Sequence, residues 1–280
     1  MKRAATLMIV WSSFFCGLFS QQQLLLEGVT PVNHATLVGV GKAYLYDSYL
    51  SPLTYSGFSM TLLHERLKLS PYFSGKLLLQ QQFHIQVGIT KNPTASASEY
   101  YGDIGYYLTA FYPLVQTSRF RLLGGGGWDA SLGGIYNVRN SNNPGSLKVS
   151  TNLNLSAMAS YSFPWATFRW QISSPFAGLF FSPEYGHSYY EIFTLGNGKG
   201  TVHLASFHNQ LSLRNYFTVD IPFEKLTLRT GYLGDFYRTE VNELTTKITV
   251  HQFMLGLAFE SINFGGRKAR RSQPLKSSYY

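Results

Sequence analysis

The chain has 280 residues, 13% charged and 16% aromatic, with 20 Tyr, 21 Phe and a single cysteine. A soluble protein carries about twice that charge, and one cysteine excludes a disulfide scaffold and a thiolate metal cage. The net charge of +9 does not point to nucleic acid. Seven of the basic residues are terminal (Lys2, Arg3, Arg267, Lys268, Arg270, Arg271 and Lys276), leaving about +2 for the body, with no basic surface of the kind a nucleic-acid binder needs.

Lys2 and Arg3 precede a largely apolar run over 4–19, which ends in Ser20 and three glutamines. This is the order of a secretory signal peptide, with cleavage expected after Ser20. Cys16 would leave with it. No apolar stretch long enough for a transmembrane helix follows.

Downstream, period-two alternation dominates. Over 147–163, Val149, Thr151, Leu153, Leu155, Ala157, Ala159, Tyr161 and Phe163 fall on one face. Ser150, Asn152, Asn154, Ser156, Ser160 and Ser162 fall on the other, with Met158 as the exception. Alternation held this long makes a strand with one apolar and one polar face. Leu211, Leu213, Phe217, Val219 and Ile221 repeat it opposite Ser212, Arg214, Tyr216, Thr218 and Asp220, with Asn215 interrupting the apolar row.

Twelve such segments are drawn: 36–47, 55–67, 76–90, 101–112, 119–137, 147–163, 166–181, 189–195, 201–207, 211–221, 225–237 and 246–260; the segment 189–195 is short and weak, and ten strands are the alternative count. Few charges, many aromatics and alternating strands in even number predict an all-β fold, a closed antiparallel transmembrane β-barrel of about 12 strands in the cell outer membrane. The expected organisation is a signal peptide (1–20), an N-terminal periplasmic segment (21–35), the barrel (36–264) and a basic disordered tail (265–280). Gly124 to Gly127 read as a strand bend, since no helix pattern follows them. With the N-terminus periplasmic, links 48–54, 91–100, 138–146, 182–188, 208–210 and 238–245 face outward.

Three polar stretches gather at that outward end: Ser182 to Glu191, Ser206 to Asn215 and Arg139 to Pro144. The runs SPEYGHSYYEIF, SFHNQLSLRN and YNVRNSNNPGSLKVSTNL resemble a family of uncharacterised outer-membrane barrel proteins of Bacteroidales, a domain of unknown function. The resemblance spans Val38 to Phe259. It implies a signal peptide and a barrel delivered by the barrel assembly machinery, and supplies no catalytic residues.

The candidate chemistry comes from the residues. Ser206 and His208 are two apart and share a face if the segment is a strand. An imidazole beside a serine hydroxyl can take its proton and make a nucleophile toward an ester carbonyl. Ser212 across the expected turn is the alternative nucleophile. Glu184, Glu191 or Asn209 could orient the imidazole. Arg214 and Arg139, with Asn209, are the expected substrate-binding groups, suited to phosphate. The arrangement looks like that of outer-membrane phospholipase A and the lipid A deacylases, with the order Ser-x-His in place of His-x-Ser.

These residues predict an acyl-ester hydrolase of outer-leaflet lipid, lipopolysaccharide (its lipid A) first. The alternative is a non-enzymatic channel or structural barrel. Every residue here also has a plainer role: serines line lumens, and a histidine or carboxylate at a strand end is commonly only solvated. No cofactor is expected. Calcium at Glu184 and Glu191 is conceivable chemically, but no ligand spacing demands it.

Overall fold

The computed structural model describes residues 32–70, 72–223 and 226–261. The expected signal peptide and basic tail lie outside the described residues. Eleven strands follow in chain order: β1 (Val32–Asp47), β2 (Ser51–Leu69), β3 (Leu78–Lys91), β4 (Ser98–Gln116), β5 (Phe120–Asn137), β6 (Gly145–Ser162), β7 (Thr167–Phe181), β8 (Val202–Ala205), β9 (Gln210–Pro222), β10 (Thr227–Val241) and β11 (Leu244–Ser261). All pairings are antiparallel. β1 pairs with both β2 and β11, and β7 with both β6 and β9, so ten strands form a closed ring. β8 stands outside that closure, pairing only with the end of β7.

The expected count of twelve is therefore corrected to ten plus one. The segment expected as a strand over 189–195 holds a short helix, α1 (Tyr189–Phe193). Ser188 and Glu191 form a capping box there, each satisfying a backbone N–H of the other's turn. The hairpin expected at 208–210 does not exist. β8 and β9 run in the same direction along one edge of β7, so 206–209 interrupts a strand line instead of reversing it. Residues 32–35, expected before the barrel, already belong to β1.

Alternation sorts the side chains as the pattern requires. On β6, Leu153 and Leu155 are exposed while Ser150, Asn152, Asn154 and Ser156 are buried in the lumen. The two exceptions have partners. Met158 packs in the lumen against Leu67, Leu78, Phe111 and Leu123. Asn215, on the apolar outside of β9, accepts a hydrogen bond from Trp170 Nε1 at 2.7 Å. Val38, Val40, Leu62, Ile85, Val87, Phe253 and Leu255 continue the exposed apolar wall around the ring. Tyr161, Phe163, Trp165 and Phe168 cluster at the near end, where β1 begins and β11 ends, and Tyr100, Tyr136, Tyr190 and Phe193 are exposed toward the far end.

Among the described residues, buried side chains fill the lumen in layers. Leu67, Leu78, Phe111, Leu123 and Met158 fill the near end. Above them, Glu65 takes hydrogen bonds from Gln80 at 2.6 Å, Gln82 at 3.0 Å and Arg169 at 2.7 Å, and also meets Arg229. Arg229 further holds Asp220 at 2.7 Å through two nitrogens. Toward the far end, Leu45, Leu50, Tyr55, Tyr101, Ile135 and Ile248 form another apolar layer. A closed, even-stranded antiparallel ring with an apolar outside, aromatic rims and a polar inside is the architecture of an outer-membrane barrel. The chain is such a barrel, and the outer membrane is its place.

The far-end links are 48–50, 92–97, 138–144, 182–201 and 242–243; the near-end links are 70–77, 117–119, 163–166 and 223–226. The longest, 182–201, lies at the far end, which makes that end the outer rim.

Candidate rim site at Ser206 and His208

The segment 206–209 is a tight loop held by its own polar groups. Ser206 N–H donates to Asn209 Oδ1 at 3.0 Å, and Asn209 Nδ2 donates to the Leu204 carbonyl at 2.8 Å. Backbone N–H groups of Asn209 and Gln210 both reach the Ser206 carbonyl. The side chain of Asn209 is thus spent on the turn, an Asx-type role. The loop brings Ser206 Oγ onto His208 Nδ1. His208 is exposed, and it lies between large apolar groups also exposed on the outer wall, Val202, Leu204, Phe207 and Leu211.

A groove of about 200 Å3 runs along His208, Asn209 and Gln210 and is walled by Arg238 and Glu240 of β10. Arg238 Nε donates to Glu240 Oε1 at 3.0 Å. Neither β10 residue was expected at the site. Their spacing of two, which sets them on one strand face, is the signal that could have found them. With Nδ1 at Ser206, the free ring nitrogen of His208 is Nε2, and Glu240 is the carboxylate of this groove.

The other expected residues lie elsewhere. Glu191 accepts from Ser188 N–H at 2.8 Å and Ser188 Oγ at 3.0 Å. Those bonds favour its charged form and lower its pKa. Glu184 faces His187 at 3.8 Å. Neither glutamate contacts His208 among the described residues. In the same region Tyr49 donates to the His187 carbonyl at 2.7 Å, and burial, with Tyr189 and Asp47 near, pushes its hydroxyl up to about 12.

Ser212 faces the lumen, on the opposite side of the wall from Leu211 and Leu213. Arg214 is buried there too, bonded through Nη1 to both carboxylate oxygens of Asp235, at 3.1 and 2.9 Å, with its guanidinium 4.4 Å from the Tyr107 ring centroid. It does not face a phosphate at the rim, which corrects that expectation: its charge is already matched inside the barrel. Arg139 sits on the 138–144 loop, which Asn137 and Asn140 knit together, and its guanidinium donates to Ser96 Oγ at 3.2 Å. No three His, Cys, Asp or Glu side chains converge as metal ligands among the described residues.

A family model described as "Protein of unknown function (DUF3316)" matches residues 7–268. No curated protein matches the sequence. Among solved structures, the translocator domain of autotransporter NalP from Neisseria meningitidis is similar at 10% identity and a TM-score of 0.41, over 91% of this chain and 97% of that one. The COG4313 outer membrane channel from Pseudomonas putida F1 is similar at 13% identity and 0.37, over 86% and 98%. Neisserial surface protein A is similar at 12% identity and 0.32, over 82% and 96%.

Proposed function

We propose that this chain, which belongs to the DUF3316 family of proteins of unknown function, is an acyl-ester hydrolase working at the lipid-facing outer rim of its barrel. Ser206 is the nucleophile and His208 the base. The observation that carries this is the contact of Ser206 Oγ with His208 Nδ1, on a loop flanked by apolar side chains of the outer wall.

In this reading His208 Nδ1 takes the Ser206 proton as Oγ bonds to the ester carbonyl carbon. The tetrahedral intermediate collapses, the lipid alkoxide leaves, and His208 returns the proton to it. Water then attacks the acyl carbonyl, His208 takes its proton and passes it to Ser206 Oγ as the acyl–oxygen bond breaks, and the fatty acid is released. Glu240 is the residue that would orient the imidazole through Nε2. The substrate is an outer-leaflet lipid, lipid A ahead of phospholipid, with Arg139 and Arg238 as the exposed basic groups of the rim. Its other partner would be the barrel assembly machinery during biogenesis.

Mass spectra of lipid A and phospholipids from expressing cells test this. Loss of one acyl chain with the unsubstituted protein, absent with Ser206→Ala and with His208→Ala, is expected. Identical spectra for all three sink the hydrolase.

A non-enzymatic structural barrel is the second reading, favoured by the ion cluster that ties opposite walls of the lumen through Glu65. The same cluster counts against a channel.

A further inference from the structure

The wall of the barrel is interrupted beside the rim site. On the edge of β7 that faces β8 and β9, ladder pairs stop at Ser173–Arg214 and resume at Gly178–Ala205. Between them lie residues 174–177 on one side and the longer stretch 206–213 on the other. The sequence gives the cause. Pro175 has no N–H to donate to a ladder, and the β6–β7 register shifts at the same level, between Leu153 and Asn154. One side-chain bond crosses the gap, Ser174 Oγ to the Ser212 carbonyl at 2.8 Å.

Behind the gap is a lumen chamber of about 90 Å3, lined by Pro175 and Ser212 among others. That is room for roughly three waters at ~30 Å3 each. Its wall carries buried polar atoms with no hydrogen-bond partner among the described residues: Gln210 Nε2 and Oε1, and Asn152 Oδ1. Both side chains are more than nine-tenths buried. Such groups ask for a polar occupant. Gln210 lines this chamber and the His208 groove alike, so it stands between the two.

Charge selects the occupant. Arg214 is matched by Asp235, Lys148 by Asp47 at 2.8 Å, and His84 Nε2 lies 2.8 Å from Asp103. Asp129 is held only by the amides of Asn152 and Asn154. The balance is negative, which opposes an anionic group. Donors and acceptors both stand ready, as hydroxyl groups require.

We propose that the lateral gap and the chamber behind it form a subsite of the Ser206–His208 centre, taking an uncharged, hydroxyl-bearing part of an acyl-ester lipid's head while its phosphate stays at the rim with Arg139 and Arg238 and its chain stays outside along Leu204, Phe207 and Leu211. This rests on the hydrolase reading for its ester, and on the gap and chamber for its head. A head of glycerol size fits the volume. Gln210 is then a specificity residue, and Ser212 the sill of the gap.

The test uses the purified, detergent-solubilised barrel and 1-O-dodecylglycerol, an ether with no scissile ester, so binding is read whether or not Ser206 is a nucleophile. Saturable binding is expected, weakened at least tenfold by Gln210→Leu and by Ser212→Trp, and unchanged by Lys199→Ala on the exposed 182–201 link. Dodecyl phosphate should bind at least tenfold more weakly than the ether. Heat-modifiable gel mobility checks that each variant is a folded barrel, and Gln210→Glu provides a second variant of nearly unchanged shape. No saturable binding, equal binding by folded Gln210→Leu and Ser212→Trp, or preference for the phosphate overturns the proposal. Hydrolysis lost in Ser206→Ala with no ether binding would leave the hydrolase standing and remove the headgroup site.

Discussion

Arg169 Nη2 reaches Glu65 Oε2 at 2.7 Å although 104 residues separate them. β2 and β7 stand five strands apart in a ring of ten, so this ion pair joins opposite walls. Arg229 completes it from β10, and all three side chains are buried. Removing one member of a buried pair leaves charge without its counter-charge, which costs about 3–5 kcal/mol. Glu65→Ala takes away the carboxylate that both arginines share. Urea unfolding of the refolded barrel should show a lower midpoint at unchanged slope. An unshifted midpoint would mean that the cluster does not tie the walls.

The same cluster bears on conductance. Among the described residues an apolar layer lies below it and another toward the far end. Planar bilayers containing the unsubstituted protein should show no stepwise openings. Regular single-channel steps would restore the channel reading and remove the packed lumen as a functional state.

How far the sequence reveals this molecule follows from the range of the forces involved. Alternation is local, so the outward Leu153 and Leu155 and the inward Asn152 and Asn154 were legible from β6 alone. Met158 and Asn215 looked like faults because their partners, Phe111 and Trp170, lie on other strands. The helix at Tyr189 was masked by its aromatic composition, although Ser188 and Glu191 carry the capping spacing. Ser206 and His208 do meet, but through a loop and not a strand face. Arg214 looked like a phosphate ligand because nothing in its neighbourhood announces Asp235, its partner across the β9–β10 pairing.

The cap at α1 should respond to acid. Glu191 accepts two hydrogen bonds from Ser188 in its charged form, so its folded pKa is depressed. A depressed carboxylate stabilises the fold above its unfolded pKa, and this contribution is lost as pH falls through the folded value. Limited proteolysis of the 182–201 link should therefore accelerate below the usual carboxylate range. Glu191→Ala should show the faster cleavage already at neutral pH. Equal cleavage rates for both proteins across that range would separate the cap from the order of the link.

The seam that closes the ring holds close backbone approaches at Gly41 of β1 and Gly256 of β11. A Cβ built on Gly256 of β11 would fall 2.1 Å from the Thr36 carbonyl oxygen and 2.6 Å from Leu37 Cα. These are backbone atoms of β1, paired to β11 along its length, so they can give way only if the two strands part. Overpacking of a well-fitted site costs about 1–3 kcal/mol, and here the strain falls on the pairing between the first and last strands. Gly256→Val should lower the yield of heat-modifiable, folded barrel and its urea midpoint. Gly102 is the control, because a Cβ there meets nothing within 4 Å, and Gly102→Ala should refold as the unsubstituted chain does. Equal refolding of the Gly256 and Gly102 variants would show that the seam tolerates a side chain, and that closure does not rest on this contact.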